Sequence, residues 1–230
     1  RIRFSLVDMR AIEAISRPYR IELTVRGTAN LDLERMLGMR VAVRIDQPGP
    51  NGRYWHGQVE RVSAGPVQGK AGQYDLLVVP AIAELTRCGR QRVRSHIALP
   101  DLIAEVLSEH GIAFEFRLLH DHPVHELVVQ YNESDLAFVS RLMEHDGIFF
   151  YFEHTADGHT LVMLDDPKTL VPWPDYETQT LLSATGQGEG IVHLNPSAAA
   201  RITRVELDDV NPEQPARDLS RAAGVTGLLM

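Results

Sequence analysis

The sequence has 230 residues, of which 44% are hydrophobic and 23% charged, proportions typical of a globular protein with one large or two modest domains. Its formal net charge of −8 argues against nucleic acid as a partner, because phosphate binding depends on clustered lysine and arginine. The single cysteine, Cys88, excludes intrachain disulfides and is expected to be a small buried residue, and no stretch approaches the ~18 apolar residues of a membrane-spanning helix.

The first 85 residues are predicted to form short β-strands separated by turns. In residues 19–25 apolar and polar residues alternate, with Tyr19, Ile21, Leu23 and Val25 on one face, which is the pattern of a half-buried strand. Residues 40–45 repeat the alternation, and a PGPNG turn follows at 48–52; residues 54–62 and 74–80 continue the series. Several short strands at regular spacing favour a barrel or a sandwich over an α/β sheet.

Four closely spaced arginines follow these strands. They are Arg87, Arg90, Arg92 and Arg94. Because the chain as a whole is acidic, we interpret this run as a solvated or interface strand and not as a nucleic-acid site.

The middle of the chain changes to helical periodicity. Residues 99–110 place apolar side chains at helical spacing, and Pro100 suits the first turn of a helix. Gly111 suits the left-handed residue that follows the last turn. An amphipathic helix is therefore predicted here.

A second helix and a hairpin follow directly. The helix is predicted over residues 134–146, with Asn132 or Ser134 as its N-cap. Residues 148–154 and 160–164 are aromatic and β-branched runs on either side of an Asp-Gly turn, the pattern of a β-hairpin.

The last sixty residues carry weaker signals. Residues 180–182 and 200–207 are candidate strands, and the glycine-rich stretch at 186–190 is a flexible loop with too little context for phosphate binding. Because the sequence does not begin with methionine and its end, at 222–230, has no recognisable terminal structure, we expect it to be part of a longer chain.

The second helix and its hairpin carry a diagnostic motif. Residues 129–154, VQYNESDLAFVSRLMEHDGIFFYFEH, resemble the family pattern of the VgrG spike proteins of bacterial type VI secretion systems. Weaker agreement extends over most of the chain. The needle that follows the base in this family is absent here, so the resemblance is to the base of the spike.

The resemblance implies a fold and a set of partners. The fold is mainly β with a few α-helices: a first phage-hub-like β-barrel over 1–90, a helix-containing connector over 91–128 and a second barrel over 129–230, with 200–230 able to return to the first barrel. Such proteins assemble as a homotrimer into a pseudo-sixfold ring on a hexameric, Hcp-like tail tube. Baseplate components and effectors are the further implied partners. Assembly in the bacterial cytoplasm followed by export through sheath contraction is the implied localisation.

The segment between the first helix and the motif contains a metal-site candidate. His120, His122 and His125 lie within seven residues together with two carboxylates, and they support an alternative of another class, a histidine-ligated metal hydrolase. Against it, the spacing matches no zinc signature and Pro123 prevents a regular helix. We therefore expect an exposed, metal-free loop.

Charged residues of the second helix and its flanks are the other candidates. Glu133, Asp135, Glu144 and Asp146 are predicted to complement the helix dipole and to be solvated, and Arg141 to pair with a carboxylate at the helix edge. His154 and His159 are expected on the surface, on either side of the hairpin turn.

The sequence thus favours a structural spike base with no catalytic, cofactor-binding or metal-binding residues. A phage or phage-derived tail baseplate hub is the nearest alternative, because the two share this fold.

Overall fold

The computed structural model describes residues 3–45 and 53–170 and, beyond them, 180–182, 190–191, 193–195, 204–208, 210, 214 and 216–224. The chain divides into two units, Arg1–Val171 and Pro172–Met230.

The first unit begins with a five-stranded antiparallel sheet in the order β1-β2-β5-β4-β3. Its strands are β1 (Ser5–Ala14), β2 (Arg17–Thr28), β3 (Arg40–Ile45), β4 (Arg53–Gln68) and β5 (Ala71–Val79). The sheet curves into a half-barrel, and β1 and β3, its two edges, do not pair with each other. The predicted strands correspond to β2, β3, β4 and β5, whereas the predicted turn at 48–52 lies outside the described residues.

The core of the half-barrel follows the predicted alternation. Tyr19, Ile21, Leu23 and Val25 are all buried, while Arg20 and Glu22 between them are exposed. They pack with buried residues of the neighbouring strands: Trp55, Val59, Tyr74, Leu76 and Val78. Because successive strand residues point to opposite faces, this single row defines the inner face of β2.

The remainder of the first unit contains two α-helices, two short 3₁₀-helices (Ala81–Arg87 and Pro167–Thr169) and two small sheets. The elements are β6 (Arg92–Ala98), α1 (Leu99–Glu109), β7 (Phe114–Arg117), β8 (Val124–Gln130), α2 (Asp135–His145), β9 (Phe149–His154) and β10 (His159–Leu164). β6 and β8 form an antiparallel pair, and β10 lies between the antiparallel β9 and the parallel β7. The two helices and the β9–β10 hairpin confirm the sequence prediction to within one residue at most ends.

The helices end as their sequences predict. Ser134 is the N-cap of α2 and its Oγ accepts a hydrogen bond of 3.2 Å from the Ala137 N–H. Gly111 and Gly147, which follow α1 and α2, have φ of +64° and +70°, a region that glycine occupies without steric cost. The buried apolar stripes of both helices pack against each other and against Phe150, Leu161 and Met163 in a second hydrophobic core.

The second unit contains one described strand pair. β11 (Arg204–Leu207) and β12 (Arg221–Gly224) are antiparallel, and Leu181 forms an isolated parallel bridge with Ile191. β11 matches the end of the strand predicted at 200–207, and most of the predicted glycine-rich loop lies outside the described residues. The fold is mainly β with a few helices, as predicted. In the described part of the chain, no helix is long and apolar enough to cross a membrane.

Candidate assembly surface

An apolar surface formed by the β6–β8 pair faces solvent. Val93 pairs with Val129 across the two strands, and the next pair on the same face is Ser95 with Leu127. Val93 and Leu127 are 62% and 61% exposed, and Val129 is also exposed. Apolar residues that project from adjacent strand positions into water form a patch that typically serves as an interaction site. We call Val93, Leu127 and Val129 the outer strand surface.

The opposite face of the same strand pair is fixed by a buried ion-pair network. Arg92 Nη1 lies 2.7 Å from Asp135 Oδ1, and Arg92 Nη2 lies 2.6 Å from Glu109 Oε2. Gln130 Nε2 and His110 Nε2 contact the same Asp135 carboxylate at 2.8 and 2.9 Å. The network joins β6, β8, α1 and α2.

The charge on Asp135 is maintained in this buried position. Burial by itself would raise the pKa of its carboxyl, but hydrogen bonds from Arg92, Gln130 and His110 outweigh that effect and lower the pKa to about 2. Expectations of solvation are therefore wrong for Asp135 and Arg92, which are buried, and the Asp146 side chain is only 5% exposed. Glu144 is exposed as predicted.

A partly exposed ion pair borders the outer strand surface. Arg141 Nη2 lies 2.6 Å from Glu133 Oε1 and also donates a hydrogen bond of 3.1 Å to the Val129 carbonyl, so the predicted pairing of Arg141 is confirmed. Arg94 pairs with Glu105 of α1 on the opposite, helix-facing side of the strand pair. The Arg141–Glu133 pair therefore places polar groups beside the apolar residues, as at the rim of many protein interfaces.

The half-barrel presents two further features that suit assembly. Among the residues that the structure describes, β1 and β3 each pair with a neighbour on one side only, and exposed backbone edges are templates for pairing with another chain. Between them the concave face forms a cleft of about 900 Å³, which is lined by the apolar residues Phe4, Val25, Met36 and Val41 and by several charged side chains. Cys88, expected to be buried, is partly exposed near α2, and its carbonyl accepts the Asp135 N–H at 2.7 Å.

The two histidines of the hairpin are not on the surface. The His154 side chain is buried, and its Nδ1 accepts a hydrogen bond of 3.1 Å from the His56 N–H. His159 Nε2 accepts one of 3.1 Å from the Ala81 N–H, and its Nδ1 lies 3.2 Å from His56 Nδ1. The expectation that His154 and His159 are surface residues is wrong, because β9 and β10 extend over β4 instead of projecting into water.

Neutral imidazoles suit this cluster. Burial, together with positive charge on His56, His154 and Arg40, lowers the pKa of His159 to about 4. Burial also lowers the pKa of His56. A nitrogen that accepts a backbone N–H cannot carry a proton, so the hydrogen bonds and the burial favour the same state.

The segment at 120–126 is only partly exposed. His120 is exposed and contacts Asp165, whereas the His122 side chain is largely buried and lies between Asp146 and Asp165. His125 faces Asp146. The three histidines of the hydrolase alternative therefore contact two different carboxylates, and the arrangement gives that alternative no support. Sequence reasoning missed the participation of Asp165, which lies 40 residues further along the chain.

Comparison with known proteins gives consistent matches. The sequence matches the family described as "Phage tail baseplate hub (GPD)" over residues 12–228. It is 40% identical over 164 residues to the type VI secretion system spike protein VgrG4b of Pseudomonas aeruginosa, covering 70% of this chain and 20% of the relative. It is 33% identical over 233 residues to the spike protein VgrG5 of the same organism, covering 96% of this chain and 28% of the relative. The chain therefore spans about a quarter of the length of these relatives.

Solved structures show the same fold. The E. coli c3393 protein, described as a component of the type VI secretion system with structural similarity to the T4 bacteriophage tail proteins gp27 and gp5, superposes with a TM-score of 0.64 at 23% identity. That match covers 74% of this chain and 51% of c3393. A tail protein from Neisseria meningitidis MC58 matches with a TM-score of 0.50 at 14% identity, over 93% of this chain and 60% of the other.

Proposed function

The chain belongs to the phage tail baseplate hub family, and from this premise we propose that it is the base of a type VI secretion spike and assembles as a homotrimer. The type VI spike names of its curated relatives support the choice within the family. The family is a structural one, and we propose a structural, non-enzymatic role for this chain.

The outer strand surface is the observation that carries the trimer proposal. Val93, Leu127 and Val129 form an exposed apolar patch on a strand pair whose other face is fixed by the Arg92–Asp135 ion pair. A rigid apolar surface loses little conformational entropy on association, and burying it removes apolar area from water. A second copy of this chain is the occupant, since a ring subunit contacts its own kind on each side.

The open half-barrel supports the same assembly. Its two edge strands and its cleft, which mixes apolar and charged side chains, are features that a ring would cover with neighbouring subunits or with later parts of the spike. Obligate interfaces commonly bury on the order of 2,000 Å² or more, so covering several such surfaces at once would give a tight assembly.

The proposal extends to the partners and the localisation. A trimer whose subunits each contribute two similar barrels, over 1–90 and 129–230 on either side of the connector at 91–128, would present pseudo-sixfold symmetry to a hexameric, Hcp-like tail tube. The first unit has two hydrophobic cores, and this supports the proposal that a subunit contains more than one barrel-like body. The further partners that we propose are baseplate components and effectors carried by other parts of the spike. The proposed localisation is assembly in the cytoplasm followed by export through sheath contraction.

A phage or phage-derived tail hub is the second candidate. The match to a bacterial tail protein over 93% of this chain favours it at the level of fold. The genes next to the coding sequence distinguish the two, because a type VI cluster contains sheath and tube genes without a capsid gene.

Sedimentation at micromolar concentration tests the trimer. We expect a species of three chains, each of 25.7 kDa. A folded monomer would refute trimerisation by this segment, and a stable dimer or tetramer would refute the ring.

A further inference from the structure

Three imidazoles converge on one buried carboxylate at the C-terminal end of α2. His145 Nδ1 lies 3.1 Å and His125 Nε2 3.8 Å from Asp146 Oδ1, and His122 Nδ1 lies 3.1 Å from Asp146 Oδ2. The sequence places these residues on three segments, the loop before β8, β8 itself and the end of α2, which the fold brings together.

Two nitrogens in this cluster have no hydrogen-bond partner. His125 Nε2 and His122 Nε2 are buried, and within the described residues neither forms a hydrogen bond. The His122 side chain is only 9% exposed. A buried polar atom without a partner costs free energy, and at His125 Nε2 a bound ion would supply that partner.

We propose that His125, His145 and Asp146 bind a divalent transition-metal ion, with Zn²⁺ the ion that best suits this donor set. One ligand atom from each residue lies within 4.8 Å of the others. Ligands at the usual Zn–N and Zn–O distances of about 2.0–2.2 Å are about 3.3 Å apart in a tetrahedral site. Small side-chain rotations would bring the three ligand atoms to this separation. A water molecule supplies the fourth ligand. Two imidazoles and a carboxylate, without a thiolate, favour zinc over calcium or magnesium, which prefer oxygen ligands.

His122 orients the carboxylate ligand. An N–H on its Nδ1 can donate to Asp146 Oδ2, which leaves Asp146 Oδ1 for the metal, while its Nε2 lies 3.4 Å from Asp165 Oδ2. Asp165 is fixed in turn by the N–H groups of Leu119 and His120, each at 2.8 Å. Burial would raise the pKa of Asp165, but these donors lower it to about 2, so it remains a carboxylate. Partners of this kind set the orientation of metal ligands.

The bound ion would connect β8 to the end of α2. His145 is exposed and gives the ion a path from solvent, whereas Asp146 is buried. Such a site is a structural cross-link and does not depend on the assembly proposed above. It differs from the hydrolase alternative because neither His120 nor His122 is a ligand, and it would replace the expectation of a metal-free loop.

Zinc titration of the full chain tests the site. The protein is stripped of metal with a chelator, dialysed and titrated with ZnCl₂ in a calorimeter, and we expect one ion to bind per chain. Thermal melts with and without ZnCl₂ should show a higher melting temperature with the ion. Co²⁺ in place of zinc should give a visible d–d absorption band from the same site.

Variants identify the ligands. His145→Ala changes an exposed side chain and leaves the core intact, so loss of stoichiometric binding in this variant reports ligation and not unfolding. His125→Ala should also lose it, and His122→Ala should weaken it about 10- to 100-fold. His120→Ala, in the same loop but outside the site, is the matched control and should bind as the wild type does. No stoichiometric binding by the wild type, or equal losses in His120→Ala and His145→Ala, would overturn the proposal.

Discussion

The Arg92 guanidinium lies between two carboxylates in a buried part of the protein, whereas Arg87 of the same basic run pairs with Glu60 at the surface. The difference matters because solvent screens an exposed pair and cannot compensate a buried one. Exposed pairs typically contribute about 0–1 kcal/mol, whereas removing one partner of a buried pair leaves a charge without compensation.

We expect Arg92→Met to destabilise the protein by about 3–5 kcal/mol, because the Asp135 carboxylate would remain buried without its cation. Urea denaturation measures the loss. Arg87→Met removes the same charge from an exposed pair and should change the free energy of unfolding by about 0–1 kcal/mol. Equal losses in the two variants would contradict a special role for the buried network.

The alternation of Arg92, Val93 and Arg94 predicts that the arginines and the valine lie on opposite faces of a strand. It does not show which face is turned towards the protein. Arg92 and Arg94 share the face of β6 that contacts the helices, and Val93 projects to the other side. Polar residues facing inward reverse the usual rule, and here the reason lies in Asp135, Glu105 and Glu109, which belong to α1 and α2. A local pattern cannot show which carboxylates a fold will bring opposite a strand.

At the scale of elements, strong local signals gave correct predictions. β2, α1, α2 and the β9–β10 hairpin each combine a periodic apolar row with turn or cap residues, and such signals depend on neighbours in sequence. β1 was not predicted as a strand, since most of its residues are exposed and show no regular alternation. Its hydrogen bonds to β2 stabilise it, and that pairing is not encoded in its own residues.

The histidine cluster connects β4 to the β9–β10 hairpin, and its protonation should control that connection. The folded pKa of His159, about 4, is below its usual value of 6.5, so between these pH values the unfolded chain binds more protons than the folded one. Stability from this group is therefore complete above pH 6.5 and declines as the pH falls towards 4. His56, His154 and Arg40 oppose a positive charge at this position.

We expect the melting temperature to fall between pH 6.5 and pH 4, and His159→Gln to make that fall less steep, because Gln retains an acceptor for the Ala81 N–H but does not titrate. Thermal melts at several pH values measure how the melting temperature changes with pH in the wild type and in the variant. Asp135 and Asp165, with pKa values of about 2, lose their contribution only at lower pH and do not interfere. His193→Gln, at an exposed histidine, is the control, and the same flattening in that variant would refute the role of His159.

At the scale of the whole molecule, the sequence resemblance identified the family and its mainly β fold, because the motif at 129–154 is long and specific. It did not identify the outer strand surface. Val93, Leu127 and Val129 are apolar, and in a sequence they are indistinguishable from core residues. Their exposure became apparent only from the register of β6 against β8 and from the inward direction of Arg92.

The proposed trimer depends on that surface, so a charge placed there should separate assembly from folding. Val93 is exposed, and Val93→Lys should therefore leave the melting temperature of the single chain nearly unchanged. In the assembly three lysines would lose water at the interface, which opposes association. We expect the trimer to dissociate at concentrations at which the wild type remains assembled, and Val93→Lys combined with Leu127→Lys to be more severe. Sedimentation over a dilution series measures this.

Val67→Lys is the matched control for this prediction. Val67 is also a strand valine, 52% exposed, and lies in β4 outside the outer strand surface. The same substitution there adds the same charge and should leave the trimer intact, so a general effect of charge on solubility is distinguished from loss of an interface. If Val93→Lys and Val67→Lys both remain trimeric, the subunits associate through another surface, and the unpaired edges of β1 and β3 become the place to introduce the next charges.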